Sequence, residues 1–308
     1  MNTGSKAVFR TRATELIPYL MVFAIGITWG MTFSLARIAA EAGAHPIGLT
    51  FWQATGGAIV LLPICLFRRT LPRFNWQNVK RFTVIALAGT AIPGTLFFYA
   101  AAHVPAGILA ISIALVPMLT YAFAWALGVD KYATKRFIGI VFGFGAILLL
   151  SLPETSLPDP GMVKWMLLAL VASVFYTIEN LYVDIYIPQG TDLIALLMGG
   201  LLVTALILVP LIYLQGAFVP LHYPFQNVEW AIIVMAFVSS SAYVTFLHVV
   251  KMAGSVFASM AGYTITLAGV FWGMIFFNES HSVWVWAALV LMLAGMALVT
   301  PREQIVKN

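Results

Sequence analysis

Residues 191–213 read TDLIALLMGGLLVTALILVPLIY. Beyond Asp192 this stretch carries no charge, and as a helix it rises about 30 Å, the thickness of a bilayer's hydrocarbon core. It is apolar on every face, so it has no polar side to turn toward water. Nine more stretches read the same way, near 17–39, 46–67, 80–102, 105–127, 134–151, 162–184, 228–249, 253–277 and 281–300. The composition agrees: 62% of the chain is hydrophobic and 9% charged. A water-soluble outer surface cannot be built from so few polar groups. The fold class expected is an all-α integral membrane protein of about ten transmembrane helices, its partner the lipid bilayer, with no attached soluble domain.

Short connections carry turn residues: Gly43 to Pro46, Pro72 to Gln77, Pro153 to Gly161 and Pro188 to Asp192. The link at Val104–Pro105 is so tight that the third and fourth spans form a hairpin. The positive-inside rule then sets orientation. With the N-terminus in the cytoplasm, fourteen of the sixteen Lys and Arg lie inside. They are Lys6, Arg10, Arg12, Arg68, Arg69, Arg73, Lys80, Arg81, Lys131, Lys135, Arg136, Lys251, Arg302 and Lys307. Only Arg37 and Lys164 fall outside, and an even span count returns the C-terminus to the cytoplasm. The net charge of +5 is explained by these loops, so no nucleic-acid partner is expected. The positive segment before span one resembles a signal-peptide start, but the apolar run is too long for one, and span one is read as retained. Cys65 is the one cysteine. It can form no internal disulfide and fits no metal-site spacing, and no metal or cofactor is expected.

The chain repeats itself. Shifted by 147 residues, Trp29-Gly30-Met31-Thr32-Phe33 lies over Tyr176-Thr177-Ile178-Glu179-Asn180, and Pro63 over Pro210. Shifted by 148–150, Ala106–Ala110 lies over Gly254–Ala258, Asp130 near Glu279, and Gly145 over Gly295. Each half holds five spans, so the second half enters the membrane from the opposite side. Inverted repeats of this kind build transporters with a site near the midplane. The expected organisation is a cytoplasmic tail at 1–16, a first five-helix repeat at 17–151, a second at 162–300, and a cytoplasmic tail at 301–308.

Trp29-Gly30 followed by Phe33 resembles the opening motif of the EamA repeat. Pro117, just after a run of small residues, fits the same pattern, as do the helix starts that follow Asp130 and Glu279. Over essentially its whole length the chain resembles the drug/metabolite transporter superfamily, which includes bacterial exporters of amino acids and other metabolites. The resemblance implies a ten-helix 5+5 inverted repeat working by alternating access. Three positions depart from the pattern: Asp130-Lys131 where Gly-Glu is usual, Tyr176 where Trp is common, and Glu179 where an apolar or aromatic residue is usual.

Glu179 is the most informative residue. A carboxylate in hydrocarbon costs several kcal/mol, so it should face a cavity or a partner. It is a candidate for proton coupling or for contact with a substrate amine; otherwise it is a wetted or paired charge at the membrane edge. Asn180, Tyr176, Trp29 and Thr32 are cavity-lining candidates beside it. In span eight, Ser241, Thr245 and His248 stand at i, i+4 and i+7, one polar stripe on an apolar helix, which lines a cavity or bonds a neighbouring helix. Pro93-Gly94 and Pro117 interrupt the backbone ladder inside their spans and are candidate hinges or static kinks. Gly139-x-x-x-Gly143 is a close-packing face, used between two copies or within one, so monomer and homodimer both stay open.

No phosphate-binding loop occurs, so direct ATP drive is not expected. The function expected is a secondary transporter of a small-molecule substrate, an amino acid or related compound, exported with protons as the coupling ion, in the plasma membrane. An importer or facilitative permease for the same solutes is the alternative. A polytopic membrane enzyme is a weaker one, because neither a zinc-protease helix motif nor a nucleophile elbow is present.

Overall fold

A computed structural model describes residues 4–152, 155–258 and 261–299, with their side chains except at 4–15, 247 and 250–258. Among the described residues every regular element is helical. In chain order these are α1 (Gly4–Glu41), α2 (Pro46–Arg68), α3 (Trp76–Ile85), a π-helical turn (Ala86–Ala91), α4 (Ile92–Ala101), α5 (Ala106–Ile113), α6 (Val116–Ala126), α7 (Thr134–Ser151), a 3₁₀ turn (Pro160–Met162), α8 (Val163–Tyr186), α9 (Leu193–Gln215), α10 (Asn227–Ala258), α11 (Ala261–Phe277) and α12 (Val283–Val299). Eight of the resulting rods are long and apolar enough to cross a membrane. Two, α11 and α12, are apolar helices of 17 residues.

Local chemistry sets the ends. Asn75 caps α3 by accepting from Asn78 N–H, and Asp192 caps α9 by accepting from Ile194 and Ala195 N–H. Asp192 also pairs with Arg68 across the α2 terminus at 3.0 Å. Gly216 closes α9 in the left-handed region, φ +59°.

Helix α1 begins at Gly4, and its membrane-spanning part starts at Leu16. One end differs from the sequence reading: the turn expected at 249–253 is absent. α10 runs on to Ala258, and α11 starts at Ala261, because no proline or strong breaker stands between 249 and 253. Gly254–Ala258 therefore closes α10, whereas its repeat partner Ala106–Ala110 opens α5. Of the basic residues used for orientation, the side chains of Lys6, Arg10, Arg12 and Lys251 lie outside the described residues, as do Arg302 and Lys307.

The packing obeys a two-fold pattern. α1 packs on α10 and α11, and its repeat counterpart α8 packs on the α3–α4 rod and on α5 and α6. Three pairs join counterparts directly: α2 with α9, the α5–α6 rod with α11, and α7 with α12. All three are antiparallel. Arg68 meets Asp192 while Gly48 meets Ala217; Gly107 meets Val270 while Ala110 meets Gly269; Gly139 meets Val299 while Gly145 meets Leu291. A two-fold axis lying in the membrane plane requires this, since it reverses each helix onto its partner.

Apolar side chains gain little by leaving lipid for protein, so close backbone approach holds such rods together. Gly26 and Gly30 let α1 lie on Thr264 and Ala268 of α11; a Cβ at residue 30 would stand 2.7 Å from that of Ala268. Gly139 meets the Gly295 carbonyl on α12, and Gly143 receives Met118 and Leu115 from the α5–α6 rod. The small-residue face of α7 is thus filled within one chain.

The prolines act unequally. Pro18, Pro63 and Pro210 sit inside unbroken helices. Pro93 follows the π-helical turn, whose last bond reaches five residues back from Ile92 N–H to Leu87 O. Lacking an N–H, Pro93 leaves the Gly89 carbonyl without its helical donor, and the ladder widens there. Thr204 of α9 donates to the Ala86 carbonyl at 3.4 Å. Pro117 likewise follows the break between α5 and α6, where Thr177 of α8 donates to Val116 O at 3.5 Å.

Candidate functional site

The widened turn brings Gly89 against α8, and the side chain it meets is Glu179. A Cβ at residue 89 would collide with both carboxylate oxygens. Glu179 is half-buried and takes part in none of the ion pairs among the described residues. Tyr176 of α8 and Tyr243 of α10 both lie within range of its charge. Tyr243 in turn meets Trp29 of α1 edge-to-face, ring centroids 6.3 Å apart. A carboxylate, two phenols and an indole therefore come together from α1, the π-turn, α8 and α10, at the seam between the two halves.

Other candidates are placed differently. Thr32 is buried and its hydroxyl donates to Trp29 O at 2.6 Å, so it is satisfied within α1. Asn180 is exposed. In the span-eight stripe, Thr245 donates to Ser241 O on its own helix at 2.7 Å, and His248 is exposed. Beside the stripe, Ser240 is buried against Gly57, and the Ser239 hydroxyl is buried with no hydrogen-bond partner among the described residues. Pro93 and Gly94 are buried, Gly94 lying against Thr50 of α2, and Pro117 is exposed.

Two residues of the cluster were not selected from the sequence. Tyr243 lies off the i, i+4, i+7 series that starts at Ser241, and only its partner Trp29 reveals its role. Gly89 could have been found from Pro93, which predicts a distorted turn four residues upstream.

A second polar cluster lies at one end of the bundle. Glu279, in the α11–α12 loop, pairs with Arg37 near the end of α1. Its two oxygens accept from Ala106 N–H at 2.8 Å and Gly107 N–H at 3.2 Å, the first amides of α5. Arg37 also binds Glu41 at 2.6 Å and stacks 4.2 Å over Phe277. His281, with a side chain 2% exposed, stands 3.4 Å from Glu279. Among the described residues no group of three or more His, Cys, Asp or Glu is arranged to hold a metal.

The EamA-like transporter family matches the chain twice, over residues 16–152 and 163–300. The chain belongs to the EamA-like transporter family. Its two matches coincide with the two halves that the packing relates. This EamA-like chain is similar to YedA of Escherichia coli (strain K12), an uncharacterized inner membrane transporter: 25% identity over 299 residues, 94% of this chain and 92% of that one. It is also 25% identical over 169 residues to an uncharacterized transporter of Buchnera aphidicola subsp. Schlechtendalia chinensis, a match spanning about half of each chain (54% and 55%). A protein of known crystal structure shares the fold, with TM-score 0.63 and 19% identity over 92% of this chain and 96% of that one. With its apolar helices, the EamA-like chain is a multi-pass membrane protein.

Two expected results test the geometry. Gly89→Ala drives a methyl into the Glu179 carboxylate. That group ends a flexible side chain, so stability should change by no more than about 1 kcal/mol, while displacement of the acid should slow transport about tenfold or more. Solute exchange in vesicles and thermal unfolding, measured on the same preparation, separate the two effects. The second result concerns His281. Burial holds its imidazole below the ordinary value of 6.5, while the Glu279 charge works the other way. The unfolded chain then binds the proton more readily, so this contribution to stability is present above about pH 6.5 and lost as the pH falls below it. His281→Gln should flatten the loss of thermal stability between pH 7.5 and 5; an unchanged slope would reject the assignment.

Proposed function

We propose that the chain is a secondary carrier, not an enzyme, with ten spans and both termini in the cytoplasm, in the plasma membrane. It moves a small metabolite, an amino acid or related amine-bearing compound, by alternating access between its two inverted halves. The observation that carries this reading is the Glu179 carboxylate, in no ion pair among the described residues, near Tyr176 and Tyr243, with Trp29 against Tyr243, at the seam between the halves. An acid with aromatic rings close by suits a positively charged group, which the rings and the carboxylate both attract. When no amine is bound, a proton takes its place, and that competition couples inward proton movement to export. The 14-to-2 division of Lys and Arg in the sequence supports the orientation.

The test is counterflow in proteoliposomes loaded with single amino acids or their amines, with and without an imposed pH gradient. Saturable exchange that accelerates when the trans side is acidic is the expected result. Exchange indifferent to the gradient would remove the proton and leave a facilitative permease. Flux linear in concentration would remove the carrier.

A further inference from the structure

The Glu279 cluster ties the two halves together at one end of the bundle, and the repeat shows what should stand at the other end. At the shift of 147, Arg37 corresponds to Asp184. At 149, Glu279 corresponds to Asp130. The α5 amides at 106 and 107 correspond to residues 254 and 255. At the Glu279 end the two key positions are a base and an acid, and they pair. At the opposite end both are acids, which cannot pair and which repel. The structure follows the charges: Asp130 turns to Arg136 in the first turn of α7, at 2.6 Å. Asp184 is exposed and joins no ion pair among the described residues.

We propose that the Arg37–Glu279 pair, seated on the first amides of α5, is a lock that holds the Glu279 end closed, and that the Asp130–Asp184 end is held less firmly, since the pair that crosses the halves there among the described residues, Arg68–Asp192, is more exposed (34% and 23% against 21% and 6%) and its acid caps its own helix. The inference rests on the alternating-access reading. Arg37 sits on α1 of the first half and Glu279 on the α11–α12 loop of the second. Any motion that separates α1 and α5 from α11 at that end must break the pair and both amide bonds together. At the opposite end the equivalent positions form no pair: Asp130 is held by Arg136, and Asp184 brings no base to it. The carrier therefore rests with the Glu279 end shut, and each cycle must break the lock. The charged and titratable groups that face it are Glu41 and His281. Arg37 and Glu279 are gating residues and touch no substrate.

The test uses the full chain with Cys65→Ser and a reporter thiol, Tyr176→Cys, in vesicles sorted by orientation. A membrane-impermeant maleimide is added from one side at a time. With the lock intact, labelling is expected to be faster from the Asp130 end. Arg37→Ala and Glu279→Gln should accelerate labelling from the Glu279 end at least about tenfold, and Arg37→Lys should restore most of the protection. Asp184→Arg leaves the lock untouched and supplies the missing base opposite Asp130, so labelling from the Asp130 end should slow by a comparable factor. Unchanged Glu279-end labelling in Arg37→Ala overturns the proposal. If the lock variants do not fold, Asp184→Arg decides, and unchanged Asp130-end labelling there overturns it. Counterflow of the otherwise unaltered chain separates the two readings. Saturable exchange with insensitive labelling removes only the lock, whereas absent exchange removes the carrier.

Discussion

Glu279→Ala is expected to lower the stability of the folded chain by about 3–5 kcal/mol, the range for removing one member of a buried ion pair. The Glu279 side chain is 6% exposed and that of Arg37 21%, so solvent screens the pair only weakly. The truncation strips Arg37 of one of its two carboxylate partners and leaves the Ala106 and Gly107 amides without acceptors. Each orphaned amide adds about 1–3 kcal/mol before any relaxation. Much of the loss is thus the cost of groups left unpaired, and Glu279→Gln, which still offers a carbonyl to one amide, should cost less. The heating midpoint for loss of monodisperse protein in detergent, compared across wild type, Glu279→Gln and Glu279→Ala, measures this. An alanine variant within about 1 kcal/mol of wild type would mean that the amides find other acceptors.

Glu179→Gln is expected to have the opposite profile. The amide is nearly isosteric, and no ion pair among the described residues is broken, so the fold should stand. An amine substrate would lose its counter-ion in a low-dielectric setting, which costs about 2–5 kcal/mol, or roughly 30-fold and upward in apparent affinity. The response to an imposed pH gradient should vanish in the same variant. A Gln variant that keeps normal affinity and normal gradient response would falsify both roles assigned to the acid.

Much of the scaffold could be read from the chain because bilayer physics acts locally. A run such as 191–213 declares a span by itself, and Pro93 and Pro117 mark sites where the backbone can break, although Pro18, Pro63 and Pro210 show that a proline alone does not decide it. The candidate site was legible where a residue violates its surroundings, as Glu179 does, or where the repeat carries one motif onto another, as with Trp29 and Tyr176. What stayed hidden depends on pairing across long separations. Arg37 and Glu279 are 242 residues apart; the topology put both at the same membrane face, but nothing in either neighbourhood names the other. Gly89 looks like one glycine among 24 until α8 is laid against it. The end of span eight was misread because helix length there is set by packing, and no breaker marks the expected turn.

The way the halves are interlaced bears on how the protein is made. α1 spends most of its length against α10 and α11, and α8 against helices of the first half. α1 therefore waits until α10 and α11 have been translated before its lasting neighbours exist. Until then Gly26 and Gly30 present a bare groove to lipid. Neither repeat expressed alone should reach a native arrangement, whereas the two expressed as separate polypeptides in one membrane can still find each other.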